Sequence, residues 1–185
     1  MNGKHNRNGS DPASLCLDCA LCCNGVLFAD VRLQAGDRAA AEALMAIMSH
    51  ADRDTRSPAS PRTRVKAPQP CAALKGCRCG IYEDRPAYCR KFKCALLLAV
   101  ENGTVAFPQA AKTISTTRLA AEKVKRLLRM LGNTEEHLPL SSRFRRTTKH
   151  LEEVGLDSEA SQIYGRLTLA YHDLNVRLSS AFYPG

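Results

Sequence analysis

Cysteine placement constrains this chain more than any other feature. Four of its 9 cysteines fall within Cys16-Leu-Asp-Cys19-Ala-Leu-Cys22-Cys23, and the other five, Cys71, Cys77, Cys79, Cys89 and Cys94, share one later block. Nine independent core cysteines would not gather in two blocks, and an odd number leaves one thiol outside any closed disulfide framework. Metal ligation by thiolates is the better reading. The long gap between the blocks is no obstacle, because closing a loop of ~50 residues costs entropy that grows only with the logarithm of its length.

Spacing alone leaves the metal open. Cys16-x2-Cys19-x2-Cys22 matches the first three ligands of a bacterial ferredoxin run, but the fourth ligand and its proline would fall at Val26 and Leu27. Paired zinc knuckles stand roughly 12–20 residues apart, and the second block is not a knuckle. A remaining ligand has to come from that second block, and zinc and an iron–sulfur centre both stand. In extended backbone the adjacent Cys22 and Cys23 point to opposite faces, one toward a metal and the other toward a second site or the core.

Composition narrows the rest. Apolar residues make up 44%, with no Trp and 5% aromatics, which suits Ala- and Leu-built helices more than a large sheet. The formal charge of +9 is uneven: residues 61–94 hold nine Lys/Arg against Glu83 and Asp84, and 108–150 hold ten against Glu122, Glu135 and Glu136. Zinc on four thiolates carries a net charge of about −2, so the first basic stretch reads as local compensation. The second has no such explanation. Its stripe at 118–149 reads first as a solvated helix face, with a nucleic-acid or acidic-partner surface as the alternative. Met1 to Ser10 is polar with no apolar run behind it, and Cys94–Val100 is far shorter than the ~20 residues of a membrane span. The expectation is a cytosolic chain with reduced thiols and no membrane partner.

In chain order, 1–14 reads as a disordered lead-in and Cys16–Cys23 as tight turns. Asn24-Gly25 turns the chain, Val26–Leu33 is β-compatible, and a helix is expected from Gly36-Asp37 to about Ser49 on Ala39, Ala43, Leu44, Ile47 and Met48. Residues 50–63 read as linker and Arg64–Pro70 as extended. Asp84 and Pro86 are expected to open a short helix carrying Cys89, Cys94 to open an apolar helix to Val100, and Thr104–Phe107 to form a short strand. From Pro108 a long helix should run on Ile114, Thr117, Ala121, Val124, Leu128 and Leu131 until Gly132. Ser141 or Ser142 should cap a helix to Val154, and Asp157 or Ser158 the last one, on Ile163, Leu167, Ala170, Leu174 and Leu178.

Taken together, Cys16-x2-Cys19-x2-Cys22-Cys23, then Cys71, then Cys79-x-Ile81-Tyr82-Glu83-x-Arg85-Pro86-x2-Cys89-Arg90-x-Phe92-x-Cys94 resemble the CxxCxxCC family. These are bacterial cysteine-cluster proteins described as zinc- or iron-chelating domains, and flagellin lysine N-methylases share the cluster. The resemblance covers about residues 16–94. It implies a metal site drawn from Cys16, Cys19, Cys22, Cys23, Cys71, Cys79, Cys89 and Cys94. Cys77 has no counterpart, and Ala72-Ala73 stand where the family often has a Pro-aromatic pair. Arg85 and Arg90 are expected beside the thiolates, orienting them and offsetting charge, with an ion pair from Arg85 to Glu83 or Asp84 as the plain alternative.

The expected fold is α+β: a small, irregular cysteine-cluster domain with short strands over about 16–107, followed by a helical region over 108–185. The expected function is metal binding, with zinc or iron, a 4Fe-4S cluster included, and no residue assigned to catalysis. The five histidines are scattered and no glycine-rich loop follows a strand, so no nucleotide or S-adenosylmethionine fingerprint is visible. Two alternatives stay open. One is a metal-dependent group-transfer or redox enzyme, as the methylase resemblance implies; the other is a basic nucleic-acid-binding adaptor.

Overall fold

Apolar residues recurring at three and four positions build the long helices. The computed structural model describes residues 12–51, 66–155 and 157–183. Most of the expected lead-in and nearly all of the expected linker lie outside the described residues. In chain order the elements are α1 Pro12–Cys19, β1 Asp30–Arg32, α2 Arg38–Ala51, β2 Lys66–Pro68, β3 Leu74–Lys75, β4 Arg78–Cys79, α3 Ala87–Lys91, α4 Ala95–Glu101, α5 Phe107–Met130, α6 Leu140–Val154 and α7 Ser158–Ala181. The fold is α+β, with a helical C-terminal region, as expected.

On α5 the stripe Ile114, Thr117, Ala121, Val124 and Leu128 is buried, joined by Leu127, and Gly132 turns the chain away at φ 80°. The whole expected stripe of α7 is buried, and Asp157 caps it, its side chain accepting from the Ala160 N–H. These two helices form the most extensive packing in the molecule. Their core also takes in Leu15 and Leu21 from the first cysteine block and Leu96 from α4. One apolar cluster thus runs from the cysteine region into the helices.

The strands are short and form two antiparallel pairs. β1 and β2 pair Val31 with Ala67, which joins the chain before α2 to the chain leading into the second cysteine block. β3 and β4 make a hairpin around Gly76-Cys77, with Gly76 at φ 62° as a two-residue turn demands. A second, small core of Leu44, Ala67 and Ala73 lies beneath them.

Several expectations needed correcting. The β-compatible stretch Val26–Leu33 contributes only Asp30–Arg32 to a strand. Thr104–Phe107 forms no strand, because the N–H groups of Thr104 and Val105 both return to the Ala99 carbonyl at the end of α4. On α2 Ala40 rather than Ala39 is buried. The N-cap of α6 is Pro139, not a serine, and the first N–H of that helix, at Leu140, donates to the Gly25 carbonyl at 2.8 Å. Among the described residues no helix is long and apolar enough to cross a membrane.

Candidate metal centre

The first cysteine block is partly helical rather than all turns. Cys16 and Cys19 lie three residues apart on α1, the spacing that puts side chains on one helix face. The helix then stops at Ala20, which takes φ 55°, and the N–H groups of Cys23 and Asn24 both donate to its carbonyl at 2.9 Å. That left-handed residue costs roughly 1–2 kcal/mol for a non-glycine side chain, and it swings Cys22 and Cys23 round after Cys19. α1 packs against α4, whose N-cap is Cys94, with the Cys94 Sγ accepting from the Leu97 N–H at 3.4 Å. Cys94 therefore opens its helix as expected.

The second block reaches the first through the backbone. The Cys71 N–H donates to the Cys23 carbonyl at 2.7 Å, and the Cys71 carbonyl accepts from Leu74 at 2.9 Å. Leu74 is the strand partner of Cys79, so the hairpin sets Cys79 beside Cys71. Gly25 allows this junction. It sits at φ 76°, and a Cβ there would meet Pro139 Cα and Pro70 Cδ, each at 3.1 Å.

Cys89 is carried by α3. Asp84 does not cap that helix; the cap comes from Asp37, 4% exposed, whose Oδ1 accepts from the Ala87 N–H at 2.7 Å. Arg90 stands 3.9 Å from the same carboxylate oxygen and also donates to the Arg85 carbonyl. Sequence reasoning placed Asp37 at the start of α2 but missed this second role, because the partner lies fifty residues away.

All nine cysteines line one cavity of ≈ 170 Å³, together with an aromatic group of Phe28, Tyr88 and Phe92. A single water occupies roughly 10–15 Å³ on such a measure, so the space exceeds what one ion fills. Two further cavity-lining groups have buried atoms without a hydrogen-bond partner, Gln69 Oε1 and Arg85 Nε. Arg85 lays its guanidinium 4.0 Å over the Tyr82 ring. Among the described residues it forms no ion pair with Glu83 or Asp84. Cys77 sits at the hairpin tip, half-buried, and also borders the cavity.

Burial first, and neighbouring thiols after it, makes six of these cysteines hard to ionise. Burial first, then Cys71, Cys89 and Cys79, push Cys23 up to about 12. Burial, partly offset by the Leu21 N–H, and then Cys94 and Cys16 push Cys19 up to about 12. Burial and then Cys71 and Cys79 raise Cys89 to about 11, while the Arg85 guanidinium pulls the other way. Cys22 is driven higher still by burial and by Cys19, Cys23 and Cys94. Cys16, at the exposed lip, is raised by burial and by Cys94, and Cys71 by burial and by Cys79. Buried thiolates that repel one another are the donor set a soft cation stabilises. The thiols are gathered but not closed: among the described residues no three His, Cys, Asp or Glu side chains take up the spacing of a single ion's ligands. The residues thus fit a metal in kind and in neighbourhood.

Several cations of the basic stripe at 118–149 are used within the chain. Arg118 donates to the Asp18 carbonyl at 2.6 Å, Lys125 pairs with Glu122, Arg129 with Glu136, Arg146 with Glu135 and Lys149 with Glu153. Arg143 is buried against Asn133. Nothing in this arrangement favours a nucleic acid.

Among known proteins, residues 15–124 match the family model described as "CxxCxxCC: Putative zinc- or iron-chelating domain". No curated protein and no solved structure matches the chain. The matched stretch is more than half of the 185 residues, and it spans both cysteine blocks and most of α5. The chain belongs to the CxxCxxCC family.

Proposed function

We propose that this chain is a metal-binding protein whose two cysteine blocks jointly hold zinc or iron, with an iron–sulfur cluster as one form of the latter. The observation that carries this reading is the gathering of both blocks around one cavity, fastened by the Cys71 N–H to the Cys23 carbonyl. The ligand candidates are Cys16, Cys19, Cys22, Cys23, Cys71, Cys79, Cys89 and Cys94. Arg85, drawing Cys16 and Cys89 toward the thiolate form, stands where a cation balances sulfur charge. When bound, the metal supplies positive charge to the thiolates and, as an iron–sulfur cluster, an electron-transfer centre.

Without metal Cys16, Cys19, Cys22, Cys23, Cys71 and Cys89 hold their protons at neutral pH, since burial and then neighbouring thiols raise them. Metal uptake therefore releases protons, and affinity should fall as pH falls. Metal analysis with an absorption spectrum, on protein purified without oxygen, tests the reading. A stoichiometric metal supports it, and visible absorption separates iron–sulfur from colourless zinc. Metal-free protein that takes up neither ion would overturn it.

A second reading, a group-transfer or redox enzyme, draws support from the cavity. Phe28, Tyr88 and Phe92 give it an apolar wall, and Cys77 adds a thiol outside the family set. On this reading Cys77 is the thiol a small alkylating agent reaches in metal-loaded protein. Equal labelling of all nine cysteines, or none at Cys77, would remove it.

A further inference from the structure

We propose that the outer face of α5 and α7 docks an amphipathic helix of a partner protein, one whose aliphatic anchors are flanked by carboxylates.

The face follows from helical spacing. Along α5, Leu119, Lys123, Arg126 and Met130 follow one another at four, three and four residues, so they share one side of the helix, and all four are exposed. Ala121, Val124 and Leu128, on the opposite side, are buried. Along α7, Arg166, Leu169, Asp173 and Val176 repeat the pattern at three, four and three, exposed where Leu167, Ala170 and Leu174 are buried. The two helices run antiparallel. The Phe182 carbonyl, just past α7, accepts from Ala95, ahead of α5, and Asp173 lies within electrostatic reach of Lys123. Leu119 and Val176 therefore stand to one side of the Lys123–Asp173 level, and Met130 and Leu169 to the other. The two apolar pairs are separated by seven residues on α7 and eleven on α5, roughly 10–17 Å at ~1.5 Å per residue.

Exposed aliphatic side chains are ordinary when scattered, but here they are gathered. Leu119 is 69% exposed, Leu169 73%, Val176 53% and Met130 51%, and these four are half of the eight exposed large hydrophobics among the described residues.

Charge decides the occupant. Among the described residues Lys123, Arg126 and Arg166 form no ion pair, whereas Asp173 is already held by Arg177 at 2.9 Å. Carboxylates are what the face lacks. A helix with apolar residues one to two turns apart seats in a groove of this kind, and acidic residues between them would meet the three cations. A second copy of the chain would bring the same unpaired cations against them. An anionic bilayer takes a continuous apolar strip edged with cations, whereas Lys123 and Arg126 stand between the apolar pairs.

The test uses the full chain and two labelled synthetic helices as long as α5, with leucines every three and four residues. One carries glutamates beside the leucines and the other lysines. The glutamate helix should bind saturably, more weakly as salt rises, and the lysine helix should not bind. Leu169→Glu, and Lys123→Glu combined with Arg126→Glu, should each weaken binding by about tenfold or more, as losing a central anchor does. Val154→Glu, at a comparably exposed apolar residue on α6, should leave it unchanged. All these positions are exposed, and unchanged helix content by circular dichroism checks that each variant folds. Failure of the glutamate helix to bind, equal binding of the lysine helix, or equal losses in Leu169→Glu and Val154→Glu would overturn the proposal. So would self-association, or binding to phosphatidylglycerol vesicles, that Leu169→Glu abolishes, since either result gives the face to another occupant.

Discussion

From α5 onward the chain buries an unbroken apolar stripe, with Val124, Leu127, Leu128, Leu167 and Leu174 all at 1% exposure or less; the stretch from β1 to α3 buries only Leu44, Ala67 and Ala73 in a core of its own. A fully buried Leu contributes about 1.5–3 kcal/mol, so the helices can hold themselves by burial. Among its described residues the strand-and-hairpin region offers Leu44 and Val31 of that kind, and five of its six elements run to five residues or fewer. What it does have is thiols, a capping carboxylate and backbone bonds across blocks. The two regions should therefore fail under different insults.

Metal removal should show the largest difference. Structural zinc contributes roughly 10–16 kcal/mol of apparent free energy in zinc-finger peptides at neutral pH, more than this small core supplies. On chelation, amide-exchange protection should vanish from β1 to β4 and α3 while α5 and α7 keep theirs. If all of it is lost together, the contrast between the regions is false. Leu167→Ala is the converse experiment. It should cost about 2–5 kcal/mol, seen as a lower denaturation midpoint, without changing metal content at saturating metal.

Two smaller effects sharpen the boundary. Gly25→Ala forces a Cβ against Pro139 and Pro70 in a left-handed residue, at a cost of at least ~1 kcal/mol, and should weaken metal retention as well as stability. Alkaline pH should separate metal-free from metal-loaded protein. The folded thiols of Cys19, Cys23 and Cys89 are raised to about 12, about 12 and about 11, above the unfolded value of about 8.5. Their contribution is thus complete below the unfolded value and drains away as pH climbs toward 11–12. Denaturation midpoints measured from pH 8 upward should fall for the metal-free form and stay flatter for the loaded one.

The smallest effect belongs to the helical region. Its hydrogen bond from Arg129 holds Glu136 below the usual glutamate range. Stability from that pair is present above the unfolded carboxylate value and lost as pH falls through the folded one. Both groups are exposed, so Arg129→Ala should raise the NMR titration midpoint of Glu136 with little change in midpoint temperature.

How far the sequence could be read follows the same contrast. The stripes of α5 and α7 were legible because a 24-residue helix repeats its period many times. The hairpin of β3 and β4 was not, since two-residue strands carry no period and Gly76 is its sole local mark. On α2 the alanines made the face ambiguous, and the burial fell on Ala40. At the centre, the cysteine pattern announced which residues assemble, but Asp37 gave no sign of its part there, because the helix it caps lies fifty residues further on.

The far end of α7 reaches back to the cysteines. The Phe182 carbonyl accepts the Ala95 N–H at 3.2 Å, the Tyr183 hydroxyl donates to the Leu27 carbonyl at 3.2 Å, and Phe182 is part of the cavity wall. In the order of synthesis these residues come last among those described, long after Cys94 has emerged from the ribosome. The neighbourhood of Cys94 therefore stays unfinished until they follow, and the cavity lacks part of its wall until the end of α7 has been made.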